Sequence, residues 1–188
     1  LKHHFKYYEK ESGSFSLHAN FFNTPQLFED EYLGPKFLVT LTGTDRLKDL
    51  EKFDFDLRGT QDLITILTRC LEKTGLNQHI RSCINTYASG HSNGASEDPL
   101  KQTYVDTVGY YDEDNVPLNC LEVIRKILAP FFAHIVSYDG YFYLIRTSER
   151  AATFDYREFD LTGNYSSNGS IDPVIDLKAA SENNRAVW

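Results

Sequence analysis

Methionine is absent from all 188 residues, even from the first position, where the chain opens on Leu1. That absence points to a fragment or a processed product. Cysteine is scarce: three in the chain do not make a disulfide framework. Positive charge is in deficit, with 19 Lys+Arg against 27 Asp+Glu and a formal net charge of -8. Nucleic acid and anionic membranes both reward basic patches, so neither is expected as a main partner. Long apolar runs are missing too. The greasiest stretch, Ile127 to Val136, is interrupted by Pro130 and His134. A spanning helix needs ~20 apolar residues, so no membrane insertion is expected.

What remains is a foldable composition, 41% hydrophobic and 24% charged. Aromatics reach 14%, with 12 Tyr and 13 Phe, which favours strands and adhesive surfaces. The length suits one full-sized domain, or two small lobes sharing a core.

The pattern implies an α+β fold, mostly antiparallel sheet, with two short amphipathic helices at about 60–74 and 119–129. Residues 2–56 read mainly as strand. Gly13–Phe22 alternates, with Phe15, Leu17 and Ala19 on one side. Asn23-Thr24-Pro25 and Gly34-Pro35 break the run, and a strong strand at Phe37–Thr42, bounded by Gly43, follows them. Thr44–Leu50 suggests a helical turn, and Phe53–Phe55 extended chain. In the first helix Thr60 is a plausible N-cap with Asp62 in the first turn. Leu63, Ile64, Leu67, Cys70 and Leu71 form the apolar face, and Gly75-Leu76 closes it. A short strand is expected at Ile80–Tyr87, then an exposed, mobile loop at Ala88–Pro99. Leu100–Val108 reads as strand or irregular, and Tyr110–Asn115 as an acidic, solvated stretch. The second helix begins on a capping-box pattern, Asn119 followed by Glu122, and stops at Pro130. A hairpin follows at about 133–147, its Asp139-Gly140 at a two-residue turn. Thr153–Leu161 is strand-like and the remainder turn-rich. Three segments result: a β-rich lobe at 1–56, a helix-strand-loop-helix-hairpin lobe at 57–150, and an extended segment at 151–188 leading toward a missing domain.

No constellation selects itself for chemistry. No His/Cys pair has the spacing of a metal site; His79 and Cys83 are four apart on extended chain, where they do not converge. There is no GxSxG elbow. Cys120 with His134 is the least implausible nucleophile pair, because a helix N-terminus lowers a thiol pKa. The bland reading of Cys120, as of Cys70, is a small packing residue. Asp54, Asp56, Asp112, Glu113 and Asp114 supply carboxylates without singling out a pair for glycoside hydrolysis. Gly90–Gly94 contains no lysine and precedes acidic residues, which would repel phosphate. Tyr138, Tyr141, Phe142 and Tyr143 crowd one hairpin and suit either sheet packing or contact with a sugar or another chain. The catalytic, cofactor-binding and metal-ligating sets are therefore all expected to be empty.

From Thr40 to Arg146 the order of features is distinctive. A strand leads into Gly43-Thr44-Asp45-Arg46-Leu47-Lys48-Asp49-Leu50 and the aromatic-acidic Phe53–Phe55. The helix with Leu63, Ile64, Leu67 and Leu71 ends on Gly75-Leu76. A loop, Leu100-Lys101-Gln102 with Tyr104-Val105-Asp106, the helix from Asn119 to Leu128, and the hairpin around Asp139-Gly140 complete it. This order resembles tail proteins of phages and prophages, particularly those of Bacteroidetes, and tail-hub or tail-tip proteins more broadly. The resemblance covers a little over half the chain and rests on packing and turn patterns; residues 1–37 match nothing in it.

It implies a non-enzymatic structural protein of the virion, made in the bacterial cytoplasm and placed near the distal end of the tail, at a hub or baseplate. Its partners would be other tail proteins, with a homo-oligomer such as a trimer among the assemblies it allows, and it would need no cofactor. Two alternatives stand beside it. One is a secreted or surface carbohydrate-binding module, suggested by the tyrosine-rich hairpin. The other is a hydrolase fragment, suggested only by the acidic excess.

Overall fold

The computed structural model describes residues 4–11, 14–23, 43–149 and 153–171. The architecture is α+β. An N-terminal hairpin of β1 (His4–Glu11) and β2 (Ser14–Asn23) is joined by the two-residue β3 (Gly43–Thr44). The predicted strand at Gly13–Phe22 is met by β2, whereas the one at Phe37–Thr42 lies outside the described residues. The helical turn expected at Thr44–Leu50 is a 3-10 turn at Lys48–Lys52 that buries Leu50 completely.

The first helix starts later than its sequence suggests. Residues Thr60–Asp62 form β4, paired antiparallel with β6 (Tyr104–Asp106). Helix α1 then runs over Leu63–Glu72. Asp62, not Thr60, is the N-cap: its carboxylate accepts the Thr65 N–H at 2.9 Å and the Thr65 hydroxyl at 2.8 Å. Pairing with a strand over forty residues away overrode the local capping signal. At the far end Gly75 takes φ +75, and Leu76 behind it is buried, as the C-cap pattern requires.

The chain next enters β5 (His79–Cys83), shorter than the Ile80–Tyr87 strand expected. Leu100–Val108 resolves into three pieces. A single turn, α2 (Pro99–Gln102), is capped by Asp98; β6 follows; and a 3-10 turn at Thr107–Tyr110 ends the stretch. Helix α3 (Cys120–Leu128) begins where predicted, with Asn119 accepting the Glu122 N–H at 2.9 Å. Pro130 ends it by converting the next turn to 3-10 at Ala129–Phe131. The hairpin is β7 (Ala133–Tyr138) and β8 (Tyr141–Arg146). Asp139 and Gly140 both take positive φ, 49° and 76°, the geometry of a two-residue turn that matches strand twist.

The strand-like reading of Thr153–Leu161 is met by β9 (Phe154–Phe159), whereas the turn-rich reading that followed needs correction, since Tyr165–Ile171 is a strand, β10. They complete a five-stranded sheet in the order β10-β9-β5-β8-β7, antiparallel except where β5 lies parallel to β8. Composition misled here because Tyr165–Ile171 has few strand-favouring residues; its pairing comes from β9, and Gly169 is present for clearance. A Cβ there would stand 2.6 Å from the Tyr156 hydroxyl oxygen.

Helices α1 and α3 pack together and share a core with the sheet. Ile64, Ile66, Leu67, Val123, Ile124 and Ile127 meet Ile80, Phe142, Leu144 and Phe159, all nearly or fully buried. The β9–β10 turn closes onto α1 through Gly163 (φ +78), whose missing Cβ would approach Thr68 Oγ1 at 3.4 Å and Ile64 Cγ2 at 3.5 Å. Gly163→Ala is expected to lose about 1–2 kcal/mol, because the left-handed backbone opposes a side chain there, while the methyl group itself would meet α1 at ordinary contact distance. Chemical denaturation reads this directly, and an unchanged midpoint would remove the argument.

Candidate functional site

Alternation along three neighbouring strands sets the chemistry of the sheet. In β5, Ile80 and Ser82 turn toward the helices, so His79, Arg81 and Cys83 occupy the other face. In β8, Phe142 and Leu144 join the core and leave Tyr141 and Tyr143 opposite. In β9, Phe159 does so and leaves Tyr156 and Glu158. Register then places His79 beside Tyr141, Arg81 beside Tyr143, and Arg81 beside Glu158.

These residues lock onto one another. The Arg81 guanidinium carbon lies 3.3 Å from the Tyr141 ring centroid and 4.5 Å from that of Tyr156. Arg81 donates to Glu158 Oε2 at 3.0 Å and to the Tyr143 hydroxyl at 2.8 Å. Glu158 Oε1 holds His79 Nδ1 at 2.9 Å. Burial works against the Arg81 charge, but Tyr143 and Glu158 outweigh it and raise its pKa above the ordinary arginine value. Burial pushes the Tyr143 phenol up to about 12. At neutral pH the phenol therefore keeps its proton, the guanidinium keeps its charge, and both Glu158 oxygens are engaged. Among the described residues, Glu158 is the hydrogen-bond partner of His79, and no hydroxyl or thiol is bonded to that ring. The arrangement ties three strands together rather than presenting an acid, a base and a nucleophile to a common point.

A second polar cluster lies on the helix side of β5, beneath the Ala88–Pro99 loop. Asn85 donates to both Glu149 oxygens, at 2.8 and 2.7 Å, and accepts from Arg157. Asp98 is 1% exposed; one oxygen caps α2 through the Leu100 N–H at 2.9 Å. Its other oxygen has no direct partner among the described residues. The same holds for Ser82 Oγ, beside it and equally sealed. Burial pushes the Asp98 carboxyl up to about 6, against the pull of its Leu100 hydrogen bond and the Arg157 charge. The loop itself is mostly exposed, as expected, yet anchored at intervals: Tyr87 donates to Glu97 O, and Gln102 exchanges two hydrogen bonds with the Ser92 backbone.

The residues weighed from sequence are dispersed. Cys120 is buried with its thiol 3.6 Å from Asp54 O, in the helix layer. His134 sits on β7 between core-facing neighbours Ala133 and Ile135, so the sheet separates it from Cys120. Cys120 instead adjoins the Cys70 thiol on α1. Hydrogen bonding from Cys70 lowers the Cys120 pKa, and the same contact together with burial raises that of Cys70. The direction anticipated for Cys120 is present, but its main cause is a neighbouring thiol. Asp54 bridges to Asn119 through its backbone. Asp56 is taken by Arg69 and Lys73, at 2.7 Å each, and the Arg69 hydrogen bond holds its carboxyl down at about 2. Asp112, Glu113 and Asp114 are exposed on a turn. His79 and Cys83 share a face four residues apart without converging. Among the described residues no three His, Cys, Asp or Glu side chains are grouped to hold a metal ion, and no helix is long and apolar enough to cross a membrane.

The Arg81 cluster was not anticipated. A signal was there: His-Ile-Arg-Ser-Cys and Tyr-Arg-Glu-Phe both alternate, each leaving charge and ring on one face. Which strands would lie side by side was not written in either segment. Compared with protein-family models, curated proteins and solved structures, the chain shows no match.

Proposed function

We propose that this chain is a non-enzymatic structural component of a phage or prophage tail, of the distal hub or baseplate kind, working through contacts with other tail proteins. The proposal starts from the ordered resemblance between Thr40 and Arg146. The observation that carries it physically is that the ionisable side chains of the Arg81 face are engaged in holding the fold, while the unpartnered Asp98 and Ser82 atoms are sealed from solvent. Arg81, Glu158, His79 and Tyr143 bind one another, Asp56 is held by two cations, and Glu149 secures Asn85. The surface, by contrast, presents large apolar groups: Tyr104, Val108, Val116 and Phe132 are each more than half exposed. Singly exposed apolar residues are common on monomers, so these side chains leave room for contacts with neighbouring subunits without marking such contacts by themselves.

A sugar-binding face receives less support. Tyr143 is buried, Arg81 already covers the Tyr141 ring, and the hairpin rings are tilted 47° and 62° to one another, so they offer no flat platform.

Antibodies raised against the chain, used for immunogold labelling of particles induced from the strain that encodes it, test the proposal. Label at the distal tail end is the expected result. Intact particles with no label, or label on the head, would overturn it.

A further inference from the structure

Between α1, β5, β8 and the β9–β10 turn lies a cleft of about 140 Å³ that opens into the helix–sheet seam. Its apolar lining is Leu71, Leu76, Ile80, Phe142 and Leu161, the last 47% exposed, with the polar Thr68 and Asn77 beside them. A cavity of about 150 Å³ with leucine, isoleucine and phenylalanine walls accommodates a benzene ring. Gln78, 3% exposed, also lines the cleft, and its Nε2 has no partner among the described residues. An amide N–H facing an aromatic ring is a recurrent weak contact. The rim carries Asp160 and Glu72, the latter bridged to Arg69.

A matching knob occurs on the same molecule. Phe132 is 75% exposed and sits in the left-handed region (φ 51°, ψ 38°), costly for a bulky residue. The conformation is held by the Phe132 carbonyl, which accepts both the N–H and the hydroxyl of Thr147 at 3.1 Å. Just before it, in the last turns of α3, Arg125 and Lys126 are exposed. The helix leading into the knob thus carries two exposed cations, whereas at the cleft Glu72 is neutralised by Arg69 and Asp160 supplies the negative charge.

The two cannot meet within one chain. Phe142 and Ile80, paired across β5 and β8, mark the cleft at the starts of these parallel strands. Phe132 is bonded to Thr147, just beyond the end of β8. Five residues of extended chain place them about 16 Å apart along the strand direction.

We infer that the Phe132 ring of one copy inserts into the Leu71–Phe142–Leu161 cleft of the next, giving a head-to-tail assembly of this chain. Such a contact joins unlike surfaces, so it closes into a ring or continues as a filament according to the rotation between copies. This inference rests on the proposed role as an assembly component and names the partner as a second copy.

Sedimentation velocity over a wide concentration range, with the full chain, tests it. Wild type is expected to associate. Phe132→Asn keeps a residue tolerant of the left-handed backbone while removing the ring, and is expected to weaken association about 30-fold or more, the loss of a hot-spot side chain. Leu161→Lys, which sets a positive charge against Arg125 and Lys126, should weaken it likewise. Mixed, the two variants retain one good knob and one good cleft, and should form a species of twice the chain's 21.6 kDa. Association undiminished in Phe132→Asn, or a mixture no more associated than its components, overturns this contact. So does a wild type that stays monomeric into the millimolar range. In each of these cases distal tail labelling would still decide the proposed role independently.

Discussion

Replacing Arg81 with methionine is expected to cost about 3–5 kcal/mol, the usual loss when one partner of a buried ion pair is removed. The Arg81 side chain is 14% exposed and that of Glu158 10%, so water cannot readily replace the missing charge. Glu158 would be left buried with only His79, Tyr143 would lose its donor, and the ring faces of Tyr141 and Tyr156 would lose the cation between them. Arg81→Met with Glu158→Gln should recover much of the loss, since it removes both charges together. Urea unfolding of the three proteins at neutral pH provides the comparison. A single-variant loss below about 1 kcal/mol would mean that the pair behaves like a surface salt bridge and does not tie the strands together.

Asp98→Asn is expected to act in the opposite direction. The folded-state pKa of Asp98 is raised, to about 6 from the ordinary 3.8, so folding favours the protonated form. Its stabilising contribution is fully present below pH 3.8 and disappears as the pH rises through 6. At pH 8 the folded state bears the cost of a sealed carboxylate, roughly 3 kcal/mol at 1.36 kcal/mol per unit. Asparagine carries no charge, keeps an oxygen to cap α2, and can donate to Ser82 Oγ, which faces it. The variant should therefore exceed wild type at pH 8 by a large part of that amount, with the advantage fading toward pH 4. The low pKa of Asp56, at about 2, produces an opposite loss only in more acidic solution, so the two windows separate. Denaturation midpoints measured from pH 4 to pH 8 would show the effect; parallel profiles for the two proteins would contradict it.

The elements legible in the linear chain are those whose signals lie within a few residues. Helix α3 needs only Asn119, Glu122 and the apolar spacing of Val123, Ile124 and Ile127. The hairpin needs only Asp139-Gly140 between two apolar arms, since positive φ at consecutive positions is a local demand. Gly75-Leu76 closes α1 for the same reason. These cues, with composition, suffice for an α+β fold built mainly on antiparallel sheet.

Tertiary structure decided the rest. Thr60 became a strand residue because Tyr104–Asp106 offered its backbone partners, which shifted the cap to Asp62. Tyr165–Ile171 became a strand because β9 presented an edge and Tyr156 left room only for glycine at position 169. The Arg81 cluster draws on residues up to 79 positions apart. It exists only because β5 runs parallel to β8 and antiparallel to β9. Strand order is set by the burial of all core faces at once, a global free energy that no short window contains, and it placed the cluster on one face of the sheet and the buried Asp98 and the Phe142 cleft on the other.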